Sequence, residues 1–160
     1  MLGAAGGVCG AAGIEALRGR GAVPLGETGG GISAEVLCGL PERMAQGKGG
    51  GLLAAGLFGF DGTPVAVRTD VRAVNAVDKL TGWGLLAGRL PLAGHILLVG
   101  GEVGYEVVRR ALVAGVPVVC GVAAPSSLAV SLAGEFGMTL VGSLRGERFN
   151  VYTDPGRLDL

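Results

Sequence analysis

The chain has 160 residues, 49% apolar and 16% charged, enough to bury one well-packed core and far from a disordered composition. Its formal net charge is zero with no basic stripe, which argues against nucleic acid as a bulk partner. Every apolar run is broken by charge or glycine well before 18 residues, and the first eight residues carry no cationic start, so neither a membrane span nor a signal peptide is expected.

The 33 glycines far exceed the usual share of about 7% and show no Gly-X-Y period, so they belong to loops, caps and flexible stretches. Cys9, Cys38 and Cys120 are an odd number without framework spacing, and reduced thiols in a cytoplasm are expected. With His95 as the single histidine and no Cys-x-x-Cys, zinc has too few ligands and no metal site is expected.

Residues 1–50 read as a glycine-rich N-terminal segment holding a cysteine loop and short helices, and residues 51–160 as an α/β domain. Within the first part, 14–18 suggests a turn or two of helix. A longer helix over 34–45 would begin at Ser33 as N-cap. From Gly51 the pattern sharpens. Strands over 52–60 and 64–69 are joined by Asp61-Gly62, a strong hairpin signal. A helix over 71–87 follows, with Ala73, Val77, Leu80, Gly84 and Ala87 on one face and Asn75, Asp78, Lys79 and Gly82 on another.

Residues 96–99 form a fully apolar strand, and a helix over 103–114 closes at Gly115 with Pro117 just beyond. A strand over 116–122, a helix over 127–136 ended by Gly137, a strand over 138–142 and an extended piece over 149–153 complete the chain. Strands alternating with helices imply an α/β layered sheet, mixed overall and largely parallel in its second half. The unbroken apolar runs at 96–99, 116–122 and 138–142 imply burial on both sheet faces.

Several stretches place polar groups at strand ends or helix starts, where α/β proteins build ligand sites. Cys9 sits in Gly6-Gly7-Val8-Cys9-Gly10, a glycine-flanked setting suited to a mobile, reactive thiolate or to an N-terminal thiol without a role. Cys120 lies mid-strand, where burial makes a thiol inert, and Cys38 lies on a helix. Asp70 suits the N-cap of the helix after it, and Asn75, Asp78 and Lys79, at i, i+3 and i+4, share a face.

Gly100-Gly101-Glu102-Val103-Gly104 holds part of a dinucleotide-loop pattern, but Val99 occupies the first glycine position and no acidic residue ends the next strand. Ser126 and Ser127 open a helix, either as a plain cap or as an anion site. In Ser143-Leu144-Arg145-Gly146-Glu147-Arg148, two arginines around a glycine can hold a pyrophosphate in their planar forks, or stand solvated. His95, at a strand entrance, reads as structural.

The order of Asn75-Ala76-Val77-Asp78-Lys79, Ala124-Pro125-Ser126-Ser127-Leu128-Ala129-Val130 and Leu144–Tyr152, with apolar strands between, resembles the C-terminal half of the FdhD family of formate dehydrogenase accessory sulfurtransferases. The resemblance implies a three-layer, cytidine-deaminase-like α/β sandwich. It also implies sulfur carried as a cysteine persulfide from a cysteine desulfurase to the molybdenum bis-guanine-dinucleotide cofactor of formate dehydrogenase. By it, Cys9 is the candidate carrier, while Ser143, Leu144, Arg145, Gly146, Glu147, Arg148, Ser126 and Ser127 form the cofactor surface, with guanine nucleotide as a ligand analogue. A homodimer stays open as the assembly state.

The chain departs from that pattern at several places. In the family's Cys-Gly-Val-Cys-Gly loop the first cysteine bears the persulfide, and Gly6 stands there; Cys9 matches the second. Gly49 and Leu53 replace a threonine and a histidine, Arg72-Ala73-Val74 replaces Gly-Arg-His, and Gly100 and Glu102 replace the serine and arginine of Ser-Gly-Arg. The alternative reading is a relative that binds the cofactor or guanine nucleotides without sulfur transfer. A nucleoside deaminase is excluded, since that chemistry needs His or Cys with Pro-Cys-x-x-Cys for zinc and a nearby catalytic Glu.

Overall fold

The computed structural model describes residues 15–18, 24–26, 31–45 and 52–160. In chain order, β1 (Ile32–Ser33) leads into α1 (Ala34–Ala45), then β2 (Leu53–Gly59), β3 (Pro64–Asp70), α2 (Ala73–Leu86), β4 (His95–Val99) and α3 (Tyr105–Val113). After these come β5 (Val118–Gly121), α4 (Ser127–Glu135), β6 (Thr139–Arg145), β7 (Arg148–Thr153) and β8 (Leu158–Asp159). Ser33 caps α1 as expected, its Oγ accepting from Val36 N at 3.3 Å.

The main sheet has strand order β3-β2-β4-β5-β6-β7. β4, β5 and β6 run parallel, while β2 pairs antiparallel with β3 and β4, and β7 pairs antiparallel with β6. β3 therefore points the same way as β4, and each of α2, α3 and α4 is a crossover between like-directed strands. β1 and β8 form a separate two-stranded parallel pair.

Alternation along the central strands divides the core into two clusters. Ile96, Leu98, Val118, Cys120, Val141 and Leu144 pack under α1 with Leu37, Leu40 and Met44. Leu97, Val99, Val119 and Leu140 face the other way, onto Val77 and Leu80 of α2, Val108 of α3 and Leu132 of α4. The result is three layers, α1, sheet, and α2–α4, as the apolar runs imply. Burial pushes the Cys120 thiol up to about 12, which leaves it unreactive.

Most boundaries shift by a residue or two, and three of the shifts matter for the site. α2 starts at Ala73 instead of 71, and Arg72, not Asp70, is its N-cap residue. Asp70 instead ends β3 and bonds back from there. On the same helix Ala76 is buried and Ala87 exposed, so the apolar face is turned slightly from the expected one. β6 runs on to Arg145, so the segment expected as a loop after 142 is the end of a strand and the turn of a hairpin. α3 begins only at Tyr105, because Val103 bridges to Pro125 across the preceding loops.

The tail after β7 carries a buried polar anchor that the sequence reading passed over. Arg157 is 2% exposed. Its guanidinium donates to Gly137 O at 2.8 Å, Gly26 O at 2.9 Å and Thr139 Oγ1 at 3.3 Å. Asp154 accepts from Thr139 Oγ1 at 2.8 Å and from Arg157 N at 3.0 Å, closing the turn through Pro155-Gly156. Arg157 O in turn accepts from Gly31 N and Ile32 N, both at 3.1 Å, so one residue ties the strand pair β1–β8 to the sheet's lower end. Replacing Arg157 by Ala leaves these acceptors unpaired in the interior and should lower stability by about 3 kcal/mol, read as an earlier midpoint in urea with an unchanged slope.

Candidate functional site

Because β3, β4, β5 and β6 point the same way, their C-terminal ends and the starts of α2, α3 and α4 all reach one edge of the sheet. That edge gathers Asp70–Lys79, Gly100–Gly104, Pro125–Ser127 and Ser143–Arg148, the polar stretches marked in the sequence, where open α/β sheets bind ligands. Cys9 and Gly49 lie outside the described residues.

Backbone bonds lace the connecting loops together. Gly100 N donates to Ala54 O at 2.8 Å, Ala123 N to Gly101 O at 3.3 Å, Ser126 N to Val103 O at 3.1 Å and Ser143 N to Ala123 O at 3.1 Å. The packing leaves no room for a side chain at Gly142: a Cβ there would lie 2.6 Å from Pro125 Cδ and 3.0 Å from Tyr152 Cε2. The start of α4 is thereby held against the end of β6. Ser126 Oγ accepts from Ala129 N at 3.2 Å, so it caps the helix, while Ser127 is exposed.

A bulge in β6 decides where the arginines point. Val141 and Leu144 both pack under α1 although they are three residues apart, an odd spacing that regular alternation forbids. The register against β7 shifts between Gly142 and Arg145, and Ser143 takes φ 55°, unusual for a residue other than glycine. Leu144 is then core, with no exposed side chain. Arg145 turns to the opposite face, the α4 side, and Arg148, its register partner across the hairpin, shares that face. Gly146, with φ 55°, makes the turn, and Glu147 stands exposed between the two arginines. Neither Arg145 nor Arg148 has a side-chain partner among the described residues.

The expected trio on α2 divides. Asn75 Nδ2 donates to Asp70 Oδ1 at 3.0 Å and Lys79 Nζ pairs with Asp70 Oδ2 at 2.7 Å. The Lys79 ammonium, with the Arg72 N–H and Asn75 amide, holds the Asp70 carboxyl at about 2. Asp78 points elsewhere, taking Arg110 Nε at 2.7 Å, and Arg110 also pairs with Glu106. These ion pairs join β3 to α2 and α2 to α3.

Between the starts of α2 and α3 lies a cleft of about 330 Å3 whose walls include Leu53, Val71, Arg72, Val74, Glu102 and Val107. Leu53, Val74 and Glu102 are three of the positions at which the sequence departs from the FdhD pattern, and sequence spacing gave no sign that they meet. Two strand spacings, roughly 10 Å, separate β4 at this cleft from β6 with its arginines. His95 sits at the far end of β4, part-buried, its Nδ1 without a partner among the described residues, and burial lowers its pKa. Among the described residues no group of three or more His, Cys, Asp or Glu gathers, and no helix is long and apolar enough to cross a membrane.

Comparison with known proteins gives the family of the chain and a related fold. A model of the FdhD/NarQ family matches residues 4–159. The sulfur carrier protein FdhD of Nocardia farcinica is 46% identical over 157 residues, covering 95% of this chain and 56% of that protein. The protein of the same name from Mycobacterium tuberculosis is 43% identical over 157 residues, with 95% and 57% covered. That from Sulfolobus acidocaldarius is 45% identical over 133 residues, with 80% and 53% covered. A crystal structure described as a formate dehydrogenase accessory protein from Desulfotalea psychrophila superposes with a TM-score of 0.74 at 26% identity, over 86% of this chain and 60% of that one. The chain thus spans a little over half the length of the curated relatives it matches.

The strained Ser143 makes a direct test of the bulge. Ser143→Gly should stabilise the protein by about 1 kcal/mol by relieving the left-handed backbone, and Ser143→Val should destabilise it by at least as much. Equal urea midpoints for both variants would mean that the bulge is not strained as described.

Proposed function

We propose, from the premise that this chain belongs to the FdhD/NarQ family, that it serves as a sulfur carrier in the maturation of a formate dehydrogenase. In this reading it takes sulfur from a cysteine desulfurase as a persulfide on Cys9. It passes that sulfur to the molybdenum bis-guanine-dinucleotide cofactor, bound as a client at the sheet edge. The soluble setting expected for such a relay is the cytoplasm.

The observation that carries the cofactor part is the arginine pair. Arg145 and Arg148 face each other across the hairpin on the α4 side, without partners among the described residues, next to the loop that opens α4. Two guanidinium forks side by side suit a diphosphate, whose four or more oxygens accept in pairs. Like charges directly opposite in a hairpin repel, so an anion bridging them removes a cost that the free protein bears. Ser127 and the first turn of α4 supply further donors, and Asn150 and Tyr152 on β7 stand exposed alongside. Glu147 offsets part of the positive charge. When bound, the cofactor supplies the metal centre that receives sulfur; the residues named here hold its nucleotide arms.

The second reading, binding of the cofactor or a guanine nucleotide without sulfur transfer, is favoured by Gly6, which stands where the family's persulfide cysteine stands, and by apolar Leu53 and Val74 in place of histidines. Calorimetry with GDP tests the surface common to both readings. Double replacement Arg145→Ala and Arg148→Ala should weaken binding by about 1.5–3 kcal/mol per lost charged hydrogen bond, and unchanged affinity would remove these arginines from the site.

Intact-mass measurement after incubation with a cysteine desulfurase and cysteine separates the two readings. One added sulfur, lost in Cys9→Ala, is expected for the carrier. A parent chain that gains none supports the second reading, and sulfur kept by Cys9→Ala would refute the assignment to Cys9.

A further inference from the structure

The cleft between α2 and α3 is built differently from the arginine hairpin. Its floor and sides are apolar, with Leu53, Val71, Val74 and Val107 among them. At about 330 Å3 it has room for a ligand of roughly ten non-hydrogen atoms, taking about 30 Å3 for each water-sized group. Around it nearly every charge is matched: Asp70 with Lys79, Asp78 with Arg110, and Glu106 with Arg109 and Arg110. Two lining residues are exceptions. The side chains of Arg72, from the α2 side, and Glu102, from the α3 side, take no ion pair or hydrogen bond among the described residues. They carry opposite signs across an apolar slot.

We propose that this cleft binds a free α-amino acid with a short apolar or thiol side chain, its carboxylate at Arg72 and its ammonium at Glu102. The polarity follows from the chain. Arg72 is the N-cap residue of α2, whose first turn has no side-chain cap, and Ala73 and Val74 line the cleft with it, so their N–H groups add donors for a carboxylate. The Asp70 carboxylate at that end is already held by Lys79, Asn75 and the Arg72 N–H, so the unmatched charge an incoming group meets there is the Arg72 guanidinium. Glu102 precedes α3 and offers the acceptor on the opposite side.

The apolar walls take the side chain. A long or charged side chain would lose its hydration against Leu53 and Val74 without a partner, so short apolar and thiol-bearing amino acids are favoured. The inference stands on the cleft alone and does not need the sulfur-carrier reading.

The test is NMR titration of the full chain, under reducing conditions, with L-cysteine, cysteamine (no carboxylate), 3-mercaptopropionate (no ammonium) and L-lysine. L-cysteine should bind, with shifts at Val71, Val74 and Val107; cysteamine and 3-mercaptopropionate should bind at least about tenfold more weakly, the loss expected for one charged hydrogen bond, and L-lysine at least about tenfold more weakly because its side-chain ammonium loses hydration against apolar walls. Arg72→Gln should erase the preference for cysteine over cysteamine, and Glu102→Gln the preference over 3-mercaptopropionate. Both side chains are exposed, so neither change disturbs the core. The proposal is overturned if no amino acid binds, if the truncated analogues bind as well as cysteine, or if the shifts fall at the hairpin instead of the cleft. GDP affinity plays no part in this measurement, so the nucleotide surface and the amino-acid cleft succeed or fail separately.

Discussion

Burial of β4, β5 and β6 on both faces is the constraint from which the rest of the molecule follows. Every backbone N–H and C=O in those strands must be met by a neighbouring strand, and every buried side chain must be apolar on whichever side it emerges or, like Thr139, find a hydrogen-bond partner. Ile96–Val99 and Val118–Cys120 satisfy this with side chains alternating between α1 and the three-helix layer. Nothing polar can be placed within such a slab without a partner. The polar groups are therefore displaced to its two ends, and the parallel direction of the strands makes those ends different.

At the lower end the polar group is sealed in. Arg157 spends its guanidinium on carbonyls and a hydroxyl at the ends of α4 and β6 and on the 24–26 segment. It can do so because burial of a charge is tolerated only where its donors are satisfied. At the upper end the groups remain open. Laced loops, a glycine with no room for a side chain and ion pairs from β3 through α2 to α3 hold that edge stiff, while the heads of Arg72, Glu102, Arg145 and Arg148 take no partner among the described residues. Rigid backbone with unspent side chains is the arrangement expected of a binding surface.

The edge is also asymmetric in charge. The β6–β7 end presents two arginines on one face, and the β2–β4 end presents an apolar slot with one charge of each sign. A single long ligand with uniform charge would match one end and not the other. Leu53, Val74 and Glu102, where the sequence departs from the pattern it resembles, all fall within the slot.

Much of this was legible from the residues. The apolar runs gave the buried strands, Ser33 and Ser126 gave helix starts, Gly115 and Gly137 gave helix ends, both with positive φ, and Asp61-Gly62 gave the hairpin turn. Local rules suffice there because each signal acts within a few residues of itself. Asp70 escaped them because its partners Asn75 and Lys79 come from a helix turn that local capping preference does not anticipate. The bulge at Ser143 escaped them too: serine is unremarkable in a strand, and only the need to bury both Val141 and Leu144 under α1, against β7 in its own register, forces the extra residue and turns Arg145 over. The cleft is the clearest case. Leu53, Val74 and Glu102 stand on three separate elements, and they meet because hydrogen bonding sets β2 beside β4 and packing sets α2 beside α3. The sequence alone thus determined which segments are strands and helices, since that depends on periodicity and short-range bonds, whereas only tertiary pairing decided which side chains share a site, since that depends on contacts between segments far apart in the chain.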